Sequence, residues 1–585
     1  MTDMISFDIH DPSSAFGQCP TFTTLLHALV YQAQQRPQRL GLADNERSLT
    51  FAQWAARVWL LAQVLGPQLT KQGVQRATEV QDLTLPPNVA VLLTAEPSVD
   101  YLCLYYALCL CHVMVVPCDK NSTAATFSYF AAQTKAQIVL HYGSDVPSTA
   151  ATTLTELSHT ELTVFEVTPL LTQVDRELST ANLQEAVAAM AAALPQPEEY
   201  ESIYFTSGTT GKSKAVLLTH ANALQGGYNS VSTCAKFADD IEILTTPIFH
   251  AQAASSFRAN LILGAGSVLY PSFYRPEELA DLIARYQCNA INLVPAALKL
   301  LLESLGESKF CELLAPLRLI EVGTAPTDPA SKSRYSKLMP HTWFLYNYGA
   351  TECSRTVFNL VCGDYLDRNN SEAPEGVVYG AQHKGQCFAR RQQLSALGRP
   401  VAVCQAVVID DRGSEVPMGT AGRLVFAGDM VMQGYLNQPE LTAKTIGPKR
   451  YYSSDCGYMD DEGFIHILGR IDDVINMGGE KISPQEIEDA VLSVEGIEEC
   501  CCIGGSDAIF GMIPVLYYSK KHGTQLDERA LKQALRSKLD RAHRPKIYLE
   551  LTTLPKNRVG KVDRNALKEL WRESETYRKL QESQS

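Results

Sequence analysis

The chain predicts a layered α/β domain followed by a β-rich, barrel-like subdomain and a small α+β domain, and three observations carry that expectation. Strand-like and helix-like segments alternate over roughly 300 residues, which is the rhythm of a parallel sheet covered by helices. After Gly398-Arg399-Pro400 the pattern turns to strands with little helix. Beyond Asp472, helix and strand mix again within about 110 residues, the size of one compact module. The expected division is residues 1–471 as the large N-terminal domain and 472–585 as the small C-terminal one.

Taken in order, residues 23–36 have helical spacing that Pro37 ends, residues 40–44 and 48–51 form a short hairpin, and 52–65 are an amphipathic helix. The polar stretch 71–87 reads as a surface insertion. A strand at 88–93, a helix at 98–109 and a strand at 113–117 give the first strand–helix–strand unit, which 134–195 repeats weakly up to an alanine-rich helix at 183–194. Two β-prone segments, 202–205 and 215–218, flank a loop rich in Gly, Ser and Thr. Strands at 242–246, 267–270, 290–294 and 317–322 then alternate with helices at 253–263, 276–286 and 296–305. Residues 363–397 read as a long excursion loop, and 401–410 with 422–427 as strands of the barrel-like part. Ser483-Pro484-Gln485-Glu486 is a capping box with proline at the first helical position, so a helix starts there and runs to about Ser493. Strands at 499–503 and 515–518 and a helix at 528–539 complete the small module.

Bulk composition narrows the function. With 585 residues, 45% hydrophobic and 20% charged, the chain reads as a soluble globular protein too long for one core. A formal charge of −13 argues against nucleic acid as the main partner, because phosphate-backbone binding relies on clustered Lys and Arg. Sixteen cysteines without a secretory leader point to reduced thiols and a cytoplasmic location. No apolar run is long enough for a membrane span, and 101–117 reads as a buried helix and strand. Cys109, Cys111, His112 and Cys118 match no zinc spacing and read as core, as do Cys500, Cys501 and Cys502 on alternating faces of a strand.

The chemistry concentrates in the loop Thr206-Ser207-Gly208-Thr209-Thr210-Gly211-Lys212-Ser213-Lys214. Glycine permits close backbone approach, while Ser, Thr and Lys donate hydrogen bonds, so the composition is that of a polyphosphate cradle. It is not the common P-loop, whose glycines stand further apart than Gly208 and Gly211. Preceded by Tyr204-Phe205, this stretch resembles the phosphate-binding signature of the adenylate-forming superfamily, which includes acyl-CoA synthetases, peptide-synthetase adenylation domains and luciferases. Ser213 stands where that family usually has proline, and Ala215 where it usually has glycine.

Further segments resemble the same family in the same order. Gly323-Thr324-Ala325-Pro326 and then Asn347-Tyr348-Gly349-Ala350-Thr351-Glu352 match its GxxP and YGxTE motifs. The resemblance implies that Tyr348 stacks on adenine, Thr351 holds the α-phosphate and Glu352 helps ligate Mg2+. Asp455 and Arg470 fall in segments like its TGD and GRxDD motifs, implying ribose contacts, with Asp472 at the hinge of a mobile lid. Gly478-Gly479-Glu480-Lys481 corresponds to the loop past which a phosphopantetheine thiol enters, and Lys561 to the catalytic lysine.

By that resemblance the chain activates a carboxylic acid with ATP, releases pyrophosphate, and passes the acyl group to coenzyme A. His250, Gln252, Gly323, Thr324, Asn347 and Gly349 would line the acyl pocket, with His250 also counted among the catalytic residues. The absence of a carboxylate among residues 248–256 makes a free α-amino acid an unsuitable substrate. Arg258 reads as a helix-surface arginine rather than the partner of a second carboxylate. Two alternatives stay open: an acyl-AMP ligase that loads the phosphopantetheine arm of a carrier protein, and a non-catalytic relative that only binds nucleotide. The oligomeric expectation is a monomer or homodimer.

Overall fold

The computed structural model describes residues 21–76, 83–143, 155–157, 162–206, 213–231, 236–249, 251–270, 275–325, 327–362, 394–401, 404–478, 480–507, 509–521, 523–541, 543–556 and 562–574. It parts into two compact units, residues 1–406 with 426–452, and residues 407–425 with 453–585.

The first unit is built on two sheets. In one, the strands run in the order Gly434–Tyr435, Lys214–Thr219, Tyr200–Thr206, Met114–Cys118, Ala90–Thr94, Ile138–His141, Thr163–Glu166. Ala90–Thr94 and Met114–Cys118 pair in parallel and are buried at every position, as continuous apolar strands must be when helices cover both faces. Between them runs the helix Val99–Leu110, started by Ser98, whose hydroxyl accepts from Tyr101 N at 3.3 Å, with Asp100 in its first turn. Tyr200–Thr206 then folds back antiparallel on Lys214–Thr219.

The other sheet runs in the order Arg399–Pro400, Arg355–Cys362, Trp343–Ala350, Leu319–Val322, Ala290–Leu293, Ile241–Leu244, Gly266–Leu269, Leu40–Ala43, Ser48–Thr50. Its centre is parallel, from Trp343–Ala350 to Leu40–Ala43. The helix Pro276–Tyr286 falls where its sequence pattern places it, with Glu277 and Glu278 in the first turn and Arg285 in the last. Arg258, expected on a helix surface, is instead 3% exposed on the helix Ala251–Leu263, and its guanidinium lies 3.3 Å from Glu201 Oε2 on Tyr200–Thr206. A charge of either sign could stay buried there only with the other beside it.

The second unit contains the hairpin half Ser453 to Met459 against Ile465–Arg470 and a further sheet. That sheet orders Glu480–Ile482, Ile475–Met477, Gly511–Lys520 and Ile497–Asp507, with Ile547–Glu550 parallel to Gly511–Lys520. Ser483 caps the helix Pro484–Leu492 by accepting from Glu486 N, while the Glu486 carboxylate turns away to His543 Nδ1 at 2.8 Å, so only half of the expected capping box forms. Cys501 packs in one apolar cluster with Trp571 and Leu567, and Cys502 in another with Ile487 and Leu516, the alternation expected of a strand. No metal-ligating cluster of His, Cys, Asp and Glu occurs among the described residues. No helix among the described residues is long and apolar enough to cross a membrane.

Candidate active site

Parallel topology gathers the predicted residues of the first unit at one sheet edge. The neighbouring strands Ile241–Leu244, Ala290–Leu293, Leu319–Val322 and Trp343–Ala350 all point the same way. The chain leaving their carboxyl ends supplies Gly323, Thr324, Ala325, Asn347, Tyr348, Gly349, Thr351 and Glu352, and open α/β sheets bind ligands along that edge. Gly323 is buried, Thr324 and Ala325 are exposed, and Asn347 to Glu352 are half-buried. Thr324 has φ +75, a left-handed conformation that a β-branched residue adopts only under constraint. Thr351 and Glu352 lie on a short 3-10 turn, Thr351–Cys353, and Tyr348 meets Phe426 edge to face at 6.1 Å.

A buried ionic cluster underlies this edge. Asn347 Nδ2 donates to Glu321 Oε1 at 2.7 Å, and Ser256 Oγ donates to the same oxygen at 2.7 Å. Lys236 Nζ lies 2.7 Å from both Glu321 and Glu242, and Asn260 Nδ2 donates to Glu242 at 2.8 Å. All three charged side chains are at most 2% exposed. Burial pushes the Glu242 carboxyl up against the pull of Lys236, with Glu321 adding to the rise. None of these three charges is marked by local sequence, since their partners lie on separate strands and loops.

The phosphate-loop residues Ser207, Gly208, Thr209, Thr210, Gly211 and Lys212 lie outside the described residues, as do His250, Pro326, Gly479 and Lys561. Both ends of the loop are placed. Thr206 pairs with Lys214, and Tyr129 donates to Ser213 O at 2.7 Å. Lys214 Nζ stands 5.2 Å from the centroid of the Tyr435 ring, and the Tyr435 hydroxyl donates to Glu352 Oε1 at 2.7 Å. The structure therefore brings Lys214 and Glu352 together through a tyrosine that sequence reading overlooked. Gln252 lies in the first turn of the helix Ala251–Leu263. Cys353, next to Glu352, is buried and its thiol is pushed far above its ordinary range by desolvation, so it does not serve as a nucleophile.

In the second unit Asp455 and Arg470 are cross-strand partners, with Arg470 Nε 3.6 Å from Asp455 Oδ1. Asp472 is exposed, and Lys568 donates to its carbonyl and to Asp473. Met477 pairs with Glu480 across a tight turn in which Gly478 has φ +61. Lys556 and Val562, on either side of the segment that holds Lys561, form a bridge, and Arg564 lies 2.7 Å from Glu488 and donates to Cys502 O at 2.6 Å.

The sheet edge carrying Tyr348 to Glu352, the Gly/Ser/Thr-rich sequence that ends in Lys214 and a second, smaller unit fit the class of AMP-forming, adenylate-forming enzymes, and the family models define it. The chain belongs to the AMP-binding enzyme family: that family's model matches residues 29–436, and the model of the AMP-binding enzyme C-terminal domain matches residues 486–561. A 2-succinylbenzoate–CoA ligase of Bacillus cytotoxicus is 30% identical over 64% of this chain and 71% of its own length, and one from Bacillus mycoides is 29% identical over 74% and 85%. ATP-bound MatB from Rhodopseudomonas palustris superposes with TM-score 0.72 at 24% identity, covering 94% of this chain and 99% of that one. The o-succinylbenzoate CoA synthetase MenE from Bacillus subtilis, in complex with its acyl-adenylate intermediate, gives 0.71 at 21% identity over 92% and 97%. These two likenesses show the fold.

Proposed function

We propose that the chain is an ATP-dependent carboxylate–CoA ligase working in two half-reactions. In the first, a carboxylate oxygen attacks the α-phosphorus of ATP, the bond to the β-phosphate breaks and pyrophosphate leaves. In the second, the sulfur of coenzyme A attacks the carbonyl carbon of the acyl-adenylate, its proton is lost, the carbon–oxygen bond to phosphate breaks and AMP leaves. Two family models matching in succession, with relatives that are CoA ligases, carry this reading.

The residues take the following parts. Thr206 to Gly211 and Lys214 donate to the triphosphate, Gly323 to Pro326, Asn347, Tyr348 and Gly349 hold the adenine and the acyl group, and Thr351 holds the α-phosphate. Asp455 accepts the ribose hydroxyls with Arg470 beside it. Lys561 donates to the oxygen shared by carboxylate and phosphorus as charge moves toward pyrophosphate, an interaction strongest in the transition state. No general base is needed for this step, because the attacking carboxylate is already ionised at neutral pH. His250 and Gln252 border the acyl pocket, Asp472 is the hinge between domains 1–471 and 472–585, and Gly478 to Lys481 offer bare backbone to the incoming thiol.

Glu352 suits Mg2+. It is a half-buried carboxylate that belongs to no group of three or more metal-ligating side chains among the described residues, and Mg2+ on a nucleotide takes one or two carboxylates, phosphate oxygens and water. When bound there, the ion supplies neutralisation of the triphosphate charge. The setting is cytoplasmic, supported by sixteen cysteines and the absence of any disulfide among the described ones.

A second reading, transfer to the pantetheine of a carrier protein, is favoured by one observation. Ile509 and Phe510, 74% and 49% exposed, stand at a hairpin tip of the second unit, where Phe510 O accepts from Gly478 N at 2.8 Å. Pyrophosphate release should first be followed across a carboxylic-acid library that includes 2-succinylbenzoate. Thioester formation with CoA should then be compared with a panel of carrier proteins. Thioester on CoA alone supports the first reading, thioester on a carrier alone the second, and no acid-dependent pyrophosphate overturns both.

A further inference from the structure

Residues 429–436 form a strap between the strand Lys214–Thr219 and the Glu352 turn. On one side Gln433 N donates to Leu217 O at 3.0 Å and Leu436 N to Ala215 O at 2.9 Å, tying the strap to the strand that carries Lys214. On the other, Met432 N donates to Glu352 O at 2.8 Å and Ser354 Oγ to Met430 O at 3.1 Å. Asn222 Nδ2 holds the middle through Asp429 O and Val431 O, at 2.8 and 3.0 Å.

Tyr435 sits at the end of this strap, 2% exposed, in an apolar cluster with Tyr204, Val216 and Met432. Its approach is fixed by Gly434, with φ +152, where a Cβ would stand 2.8 Å from Thr442 and 2.9 Å from Leu83. Thr442 Oγ1 accepts from Tyr435 N at 2.9 Å. The Tyr435 hydroxyl donates to Glu352 Oε1 at 2.7 Å, so one carboxylate oxygen carries this bond and the other can face a ligand. The opposite partner is Lys214, whose ammonium lies over the ring.

We propose that Tyr435 is a positioning residue that fixes the Glu352 carboxylate toward a nucleotide-bound divalent cation and fixes the Lys214 ammonium toward the phosphates, so that the two are set as one unit. The inference rests on the reading of Glu352 and Lys214 given above. A phenol that only satisfies itself in the core would make the same hydrogen bond, and the two roles part in their dependence on the metal.

The test is equilibrium binding by calorimetry with neither acid nor CoA present, on the full chain and its Tyr435→Phe, Tyr435→Leu and Glu352→Gln variants. Tyr435→Phe should weaken ATP binding in Mg2+ about tenfold, the usual loss when a carboxylate ligand's supporting donor is removed, and leave AMP binding in EDTA within about twofold. Tyr435→Leu should in addition weaken ATP binding in EDTA, because Lys214 loses its aromatic face. Glu352→Gln/Tyr435→Phe should bind no more weakly than Glu352→Gln alone, since both changes remove one interaction. Unchanged Mg2+–ATP affinity in Tyr435→Phe, an equal loss for Mg2+–ATP and metal-free AMP, or additive losses in the double variant would each overturn the proposal. Binding that follows these expectations while no acid yields pyrophosphate would sink the ligase reading and leave the role of Tyr435 standing.

Discussion

Replacing Lys236 by methionine removes the one cation between two buried carboxylates. Lys236 Nζ lies 2.7 Å from Glu242 and 2.7 Å from Glu321, and neither glutamate is more than 1% exposed. Without the ammonium the two carboxylates face each other with only neutral donors, Asn260 on one and Ser256 with Asn347 on the other. Removing one partner of a buried ion pair costs about 3–5 kcal/mol. In a domain this large that is a fall of roughly 3–6 °C in thermal midpoint. The double variant Lys236→Met/Glu242→Gln removes the surplus charge and should recover at least about half of the loss, because an apolar or neutral replacement of a whole pair is often tolerated. Scanning fluorimetry of wild type, single and double variants at about pH 8.5, above the range in which Glu242 keeps its proton in the wild type, reads all three midpoints. A single variant within about 1 °C of wild type, or a double variant lower than the single, would refute the electrostatic role assigned to Lys236.

The same cluster predicts a pH dependence. The Glu242 carboxyl is pushed up to about 7 in the folded chain from an unfolded value of 4.5, so the stability gained by holding its proton is fully present below about pH 4.5 and is lost as pH rises through 7. Thermal midpoints of wild type should therefore fall more steeply between about pH 5 and 8 than those of Glu242→Gln, and parallel curves would contradict the assignment. Lys561→Ala should abolish adenylate formation, by about two to three powers of ten, while leaving thioester formation from a supplied acyl-adenylate; equal loss in both assays would remove Lys561 from its role. Gly479→Leu should do the reverse, and normal thioester output from that variant would exclude passage of the thiol beside this loop. Arg258→Met should lower the midpoint by several degrees, as it strands Glu201 in the core, and an unchanged midpoint would mean that Glu201 is neutral there.

Much of the fold was legible because periodicity and punctuation agree. The helix Pro276–Tyr286 shows both an apolar stripe and charges matched to its dipole, and the strand pairs of the first unit are apolar runs bounded by turns. Several helices escaped, and three of them show why. His220–Val231 carries Gly226 and Gly227 and is buried at every position but Ala221, so it offers no amphipathic stripe; Gly226 is required because a Cβ there would lie 2.6 Å from Ser354. Ala124–Thr134 spreads alanines and aromatics around its circumference and so shows no clean apolar stripe. Pro329–Leu338 did carry a usable signal, Asp328 as cap followed by proline at the first helical position, although its weak apolar pattern hid it.

The site divides in the same way. Motifs that stay contiguous, such as Tyr348 to Glu352, announce themselves in sequence, whereas partnerships formed across the fold do not. Glu201 and Arg258 are separated by many residues and each alone looks like a surface charge. Tyr435 lies in an ordinary apolar segment, and only the fold places it between Lys214 and Glu352. Glu321 reads as a lone charge in a strand until Lys236 and Asn347 are seen on either side of it.

Exchange of labelled pyrophosphate into ATP, with an acid present and CoA withheld, tests the adenylating chemistry most directly, because it requires reversible formation of the acyl-adenylate and nothing beyond it. Label should enter ATP with at least one carboxylic acid of the library, should need Mg2+, and should vanish in Lys561→Ala. Exchange that proceeds without any acid, or none with every acid under conditions where ATP binds, would contradict the assignment of this chain as an AMP-forming ligase.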